Sequence, residues 1–288
     1  MQLISTISSS LPPALPGIAG GAFTAFQILA SATSYKAETN ADTRAKYSKF
    51  ATNVNSASTA PTKEKGEASA ATWPSQVGMM VIYTPALLAS VALLKLGSLQ
   101  AGTLGSISFP PPSPAAVLCA LHFAKRVCEV LVVHKYSGRV ERSTASFIGF
   151  YYMIVAVLIG LVSDPNPSAI CLKVGKTLFG IGLAGNFYHH RLLAKLRGDS
   201  DSSGGDKKKY VAPKGGLFDY VAAPHYLFEL IGWLGIAIAS NHLNVYLVFA
   251  SMSSYLSGRS VAQNDFNRKK FSNDEWPETR KNLIPFVF

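Results

Sequence analysis

Apolar runs recur along this chain at about 15–32, 77–97, 114–133, 144–163, 169–186, 226–240 and 243–257. Several approach the ~20 residues that a helix needs to cross a bilayer. The connections between them alternate in charge. Segments 33–76, 134–143, 187–225 and the tail from 258 carry Lys and Arg, whereas 1–14, 98–113, 164–168 and 241–242 carry none. Such alternation is what the positive-inside rule asks of an odd number of spans. The reading is an all-α polytopic membrane protein of about seven transmembrane helices, N-terminus lumenal and C-terminus cytosolic. The last two runs are short and close together, and are expected to form a tight re-entering pair.

Composition agrees. The chain is 48% hydrophobic and 15% charged, well under the ~25% charge of soluble domains. The net charge of +11 is then mostly a topology signal, and no soluble basic module is visible that would bind nucleic acid. Cys119, Cys128 and Cys171 lie in or near apolar runs, which is no disulfide framework. The first cation is Lys36, so run 15–32 is expected to stay as an uncleaved anchor. Segment 1–113 reads as an N-terminal membrane region of two spans with a flexible cytosolic loop at 33–76. Residues 114–288 read as a region of five spans.

Lys125, Arg126 and Glu129 interrupt the third run. A charge at the centre of a span costs about 2.5–3.5 kcal/mol on insertion scales. At i,i+4 and i,i+3 spacing, the Glu129 carboxylate can meet either cation. The triad either neutralises itself and orients the helix, or forms a polar site opening into the membrane. Gly180, Gly182 and Gly185 match a dinucleotide fingerprint. They lie inside a span without a preceding strand, so close helix packing by small residues explains them better.

Beyond them Asn186, His190 and Arg197 share a helix face, with Arg191 at its edge. They read either as a basic interfacial belt or as a clamp for an anionic ligand. Adjacent His189 and His190 point about 100° apart on a helix, which disfavours a shared metal, and none is expected. Pro224 opens another helix whose first turn carries His225 and Tyr226, with Glu229 one turn deeper. Polar groups from the third, fifth and sixth runs are therefore expected to converge.

Over about 115–288 these residues resemble the steroid 5α-reductase family, which includes very-long-chain enoyl-CoA reductases and polyprenol reductases. The stretch from Leu121 through Lys125, Arg126 and Glu129 to Gly138, and Gly185-Asn186-Phe187, are closest to the enoyl-CoA reductase version. Gly215-Gly216-Leu217-Phe218, Pro224-His225-Tyr226 with Glu229, and the stretch Arg280 to Phe288 are shared more widely in the family.

The resemblance implies an endoplasmic reticulum enzyme that takes NADPH from the cytosol and reduces a conjugated C=C bond in a hydrophobic lipid. The substrate would be a trans-2-enoyl-CoA or a 3-oxo-Δ4-steroid-like molecule. Tyr226, Lys125 and Glu229 would be catalytic. Asn186, His190, Arg191, Arg197, Tyr210, His225 and Arg259 would bind the cofactor, and Arg126, Glu129 and Tyr83 would face the substrate. Other lipid-elongation enzymes are the implied partners. Rival readings are a polyprenol-type reductase, a membrane methyltransferase using S-adenosylmethionine, and a non-catalytic elongation scaffold.

Overall fold

The structure, a computed structural model, describes residues 12–45, 71–99, 109–136, 138–201 and 210–288; of 197–201 the backbone alone is described. Much of the Ser/Ala-rich loop, the Gly198–Asp206 linker and the Lys207–Lys209 run fall outside the described residues.

Seven α-helices are present among the described residues: α1 (Gly17–Thr39), α2 (Ser75–Ser98), α3 (Pro114–Val132), α4 (Arg142–Val162), α5 (Ala169–Asp201), α6 (Pro224–Ser240) and α7 (Leu243–Lys270). Each covers one apolar run. A two-stranded antiparallel ribbon, β1 (Thr72–Pro74) with β2 (Arg139–Glu141), departs from a purely helical chain. Proline and side-chain caps place the starts. Pro114 follows Ser113, whose Oγ accepts the Ala116 N–H at 3.1 Å, and Pro224 opens α6 where its missing N–H costs nothing.

Two boundaries correct the sequence reading. α1 runs to Thr39, into the segment expected to be loop, because its far end is bonded to α7. α7 runs to Lys270, well past the apolar run at 243–257, so α6 and α7, of 17 and 28 residues, form a long helical hairpin turned by Asn241, at φ 50°. The Gln263 amide near the end of α7 donates to Ala222 O, just before α6 begins.

The directions of the helices follow from what touches what. Along α2 and α3, Gln76 meets Val130, Tyr83 meets Arg126 and Ser90 meets Cys119, so the two are antiparallel. Gly149 and Gly160 of α4 abut Val81 and Leu93 of α2, which makes those two parallel. α1 and α7 are also parallel. Gln27 and Asn244 exchange amide hydrogen bonds at 3.1 and 2.7 Å, Ser31 meets Ser251 at 2.8 Å, and Glu38 pairs with Arg259 at 3.0 Å.

The ends of this up-and-down bundle differ. The β1–β2 ribbon, residues 210–223 and the tail after α7 lie at one end, with Arg139, Arg142, Arg191, Lys214 and Lys281. Segments 12–16, 109–113 and 163–168 lie at the other, tied by Leu243 N–H to Pro13 O and Asp164 N–H to Ser240 O, both 2.9 Å. Basic connections thus gather at one end and charge-poor ones at the other, although Lys95, Lys173 and Lys176 sit within about two turns of the latter.

α5 and α6 meet through glycines. A Cβ on Gly182 would lie 2.3 Å from Gly232 N, and one on Gly175 2.7 Å from Gly235 O. Gly180, in the same stretch, faces open space, with nothing within 4 Å. Gly182→Ala therefore forces two backbones apart, at a cost of about 3 kcal/mol, the upper side of overpacking. Gly180→Ala should instead gain about 0.5–1 kcal/mol of helix propensity. Thermal unfolding of the two variants in detergent should show opposite shifts in Tm.

Candidate active site

α3 is polar inside and apolar outside. His122, Lys125, Arg126 and Glu129 recur at helical spacing on its inner face, while Leu121 and Leu131 are 52% and 56% exposed on the outer one. The inner face meets α5 and α6 near the basic end of the bundle.

Glu129, 2% exposed, is the hub. Its Oε1 lies 2.9 Å from Lys125 Nζ and 3.0 Å from His190 Nδ1, and its Oε2 lies 3.0 Å from Arg126 Nη1. Arg126 Nη2 donates to the Tyr83 hydroxyl of α2, and its guanidinium stands 4.6 Å from the Tyr83 ring centre. Asn186 joins three helices. Its Oδ1 accepts from Lys125, while its Nδ2 donates to His225 O at 2.8 Å and to Glu229 Oε2 at 2.9 Å. Those partners fix the amide orientation, since the lysine only donates and the two oxygens only accept. Glu229 Oε1 faces His122 Nε2 at 3.6 Å.

Of the residues expected to form the site, Lys125, Arg126, Glu129, Tyr83, Asn186, His190, His225 and Glu229 meet in one network. Tyr226 adjoins it, half-buried, with its ring 4.2 Å from that of His225. Others stand apart from the network. Arg191 is exposed, over the Phe187 ring at 6.0 Å. Tyr210 donates to Asn267 Oδ1 at 3.1 Å and stacks on Phe271. Arg259 is bonded to Glu38 and to Ala45 O at 2.8 Å. The side chain of Arg197 lies outside the described residues.

His122 and His134 were not singled out from sequence, yet both border the network. His122 could have been found from its spacing, three residues before Lys125 on the same face; nothing local marks His134. The two adjacent histidines of α5 diverge. His189 Nδ1 donates to Gly185 O at 2.7 Å and its Nε2 accepts Leu217 N–H at 3.2 Å, which pins α5 to the turn Gly216–Asp219. Gln263 and Asn267 serve the segment before α6, through Ala222 O and the Tyr210 hydroxyl, and Asn264 serves the tail of the chain. Asn264 holds Arg280 O, Asn282 and the Trp276 indole at 3.0, 2.9 and 2.8 Å.

Glu129, His134 and His190 could present metal-ligating atoms within 4.8 Å of one another. Both Glu129 oxygens already serve cations, and a divalent ion would enter beside two fixed positive charges. A dinucleotide suits the donor set better. Arg126 Nε is buried without a protein partner, which leaves a donor position for a carboxamide. Exposed Arg191, Lys195 and Lys214 stand nearby in sequence for phosphates.

The family profile described as 3-oxo-5-alpha-steroid 4-dehydrogenase matches residues 139–288, just over half of the chain. The chain belongs to this steroid 5α-reductase family. Asn186, His190, His225 and Glu229 lie within the matched residues, and Lys125, Arg126 and Glu129 precede them. Among its relatives is the 3-oxo-5-alpha-steroid 4-dehydrogenase 2 of Homo sapiens, 36% identical over 64% of this chain and 71% of the relative. The very-long-chain enoyl-CoA reductase of Dictyostelium discoideum is 28% identical over 67% of this chain and 63% of that enzyme. The human 3-oxo-5-alpha-steroid 4-dehydrogenase 1 is 34% identical over 44% of each chain. The matched stretch thus spans 44% to 71% of these relatives, and less than two thirds of the enoyl-CoA reductase and of the human 3-oxo-5-alpha-steroid 4-dehydrogenase 1.

Removing the hub should strand two buried cations. Glu129→Gln is expected to cost about 3 kcal/mol, as breaking a buried pair does. Adding Arg126→Met to that variant should restore part of the loss, because one stranded charge goes with it. Denaturation of both variants beside the parent protein reads this out.

Proposed function

We propose that the chain is a membrane-embedded, NADPH-dependent reductase of a conjugated C=C bond in a lipid. The observation that carries this is the bonding of Lys125, Asn186 and Glu229, from three helices, around the orphaned His225 Nδ1 and next to Tyr226. The names of the relatives, an enoyl-CoA reductase and a 3-oxo-steroid 4-dehydrogenase, point to carbon–carbon bonds beside a carbonyl and favour an oxidoreductase. Substrate classes that fit are a trans-2-enoyl-CoA and a 3-oxo-Δ4-steroid-like enone.

The same reading makes the bundle a seven-span protein of the endoplasmic reticulum, with the basic end in the cytosol and the N-terminus in the lumen. Among the described residues two helices, α2 and α4, are long and apolar enough to cross a membrane by composition, and 28% and 33% of their apolar windows are buried. Their apolar surface therefore faces outward, as does that of α3, which water would penalise and lipid would not. The other helices are diluted by polar residues that face neighbours: Gln27 and Glu38 in α1, Asn244 and Arg259 in α7. Lys95, Lys173 and Lys176 would snorkel to the lumenal surface. Residues 114–288 form the catalytic part, and 1–113 the membrane region around it.

The bound cofactor supplies a hydride. Asn186, His190 and His225 would hold its nicotinamide end, and Arg191, Arg197 and Tyr210 its remaining polar parts, whereas Arg259 is taken up by Glu38. Tyr226 donates a proton, or a hydrogen bond, as negative charge develops at the substrate carbonyl. Lys125, held by Glu129 and Asn186, lies one amide away from residue 225 and stabilises that charge. Arg126, Glu129 and Tyr83 border the substrate, whose tail lies between helices.

Purified protein should bind NADPH and convert an enoyl-CoA, a steroid enone or a polyprenal to its saturated product, read by mass spectrometry. Tyr226→Phe should keep NADPH binding and Tm while product formation falls at least about 10²-fold. Absence of NADPH binding by the parent protein would overturn the assignment.

A further inference from the structure

Reduction of a C=C bond takes up one hydride and one proton in each turnover. A buried proton donor must therefore be recharged from water before the next. Five of the six histidines lie near the site, and His242 caps α7 at the far end. Three of the five form a row. His134 lies in the connection after α3 with its side chain 16% exposed. Its ring centre is 4.7 Å from that of His190, His190 is 5.5 Å from His225, and His225 is 4.2 Å from Tyr226.

We propose that His134, His190 and His225 form a proton relay that recharges Tyr226 from water at the basic end of the bundle, a role that rests on reading Tyr226 as the proton donor. Glu129 bridges the first step, with Oε2 4.0 Å from His134 Nε2 and Oε1 3.0 Å from His190 Nδ1. Ring rotation, or one bridging water, closes the gap between His190 and His225.

A core histidine needs no such role when its nitrogens are satisfied, as those of His189 are by two backbone groups. His225 differs. Its Nδ1 is buried and without a partner, a state that costs about 1–3 kcal/mol and leaves that atom open to accept and return a proton. Lys125 and Arg126 oppose a positive charge on His190, Glu129 and Glu229 favour one, and the neutral Tyr83 hydroxyl is taken up by Arg126.

The balance is as follows. The substrate π bond opens, its β-carbon gains the hydride, and its electron pair moves to the carbonyl oxygen. The α-carbon then takes the Tyr226 proton, while the reduced nicotinamide becomes oxidised. The tyrosinate takes a proton from His225, His225 from His190, and His190 through Glu129 from His134, which takes one from water.

His134→Gln tests the entry point without emptying the core. In the full-length purified protein with NADPH and the substrate it reduces, kcat in dilute buffer should fall about tenfold. That is less than the 10²–10⁴ of a direct general acid, since water substitutes in part at the rim. KM for NADPH should be unchanged, and added imidazole should restore kcat. A kcat equal to the parent's at every pH between about 5 and 8, where imidazole titrates, would overturn the relay and leave the reductase reading intact. So would a loss that imidazole fails to restore. His225→Asn, checked for an unaltered Tm, should show a larger loss of kcat; normal turnover there also defeats the relay. A parent protein that oxidises NADPH with no substrate in the panel would instead remove the reductase reading beneath it.

Discussion

The Glu129 carboxylate, in contact with Lys125, Arg126 and His190, is what lets α3 keep a polar face inside the bundle. Two cations taken out of water cost several kcal/mol each, and attraction offsets this only where geometry is good and the remaining hydrogen-bonding positions are filled. Here neighbours fill most of them, with Arg126 Nε left unpaired. Tyr83 of α2 bonds Arg126 and Asn186 of α5 bonds Lys125, so the charge network also fixes how those helices face α3. Packing apolar residues in the same volume would stabilise α3 as well, but it would leave no polar group for chemistry.

Close approach of backbones makes such a network possible. Gly175, Gly182, Gly232 and Gly235 let α5 and α6 touch without side chains between them, which brings Asn186 within 2.9 Å of Glu229. On α2, Pro85 cannot donate to Val81 O, and Gly149 of α4 approaches that carbonyl so closely that a Cβ would stand 2.5 Å away. Small residues and one proline thus do for the framework what Glu129 does for the site.

Much of this was legible in the chain. Apolar runs of the right length marked all seven helices, and the spacing of Lys125, Arg126 and Glu129 marked the inward face of α3. The convergence of Asn186 and Glu229 on that face followed from helical periodicity. The extension of α1 to Thr39 was not legible, because Glu38 is helical through a partner 221 positions away. Nor was the employment of Arg259, whose guanidinium is buried against α1, or of Asn264, which holds the tail. Periodicity shows which face a side chain takes; it does not show which distant residue waits there. His134 was missed for that reason, as it lies in a connection without a repeat.

The pairing of α1 with α7 bears on how the protein is made. A ribosome makes α1 well before α7. Gln27, Ser31 and Glu38 find their partners in Asn244, Ser251 and Arg259. During synthesis of the intervening two hundred residues, ~10–40 s at usual elongation rates, those groups lack the partners they finally take. A newly made α1 must therefore satisfy those groups in another way until α7 is made.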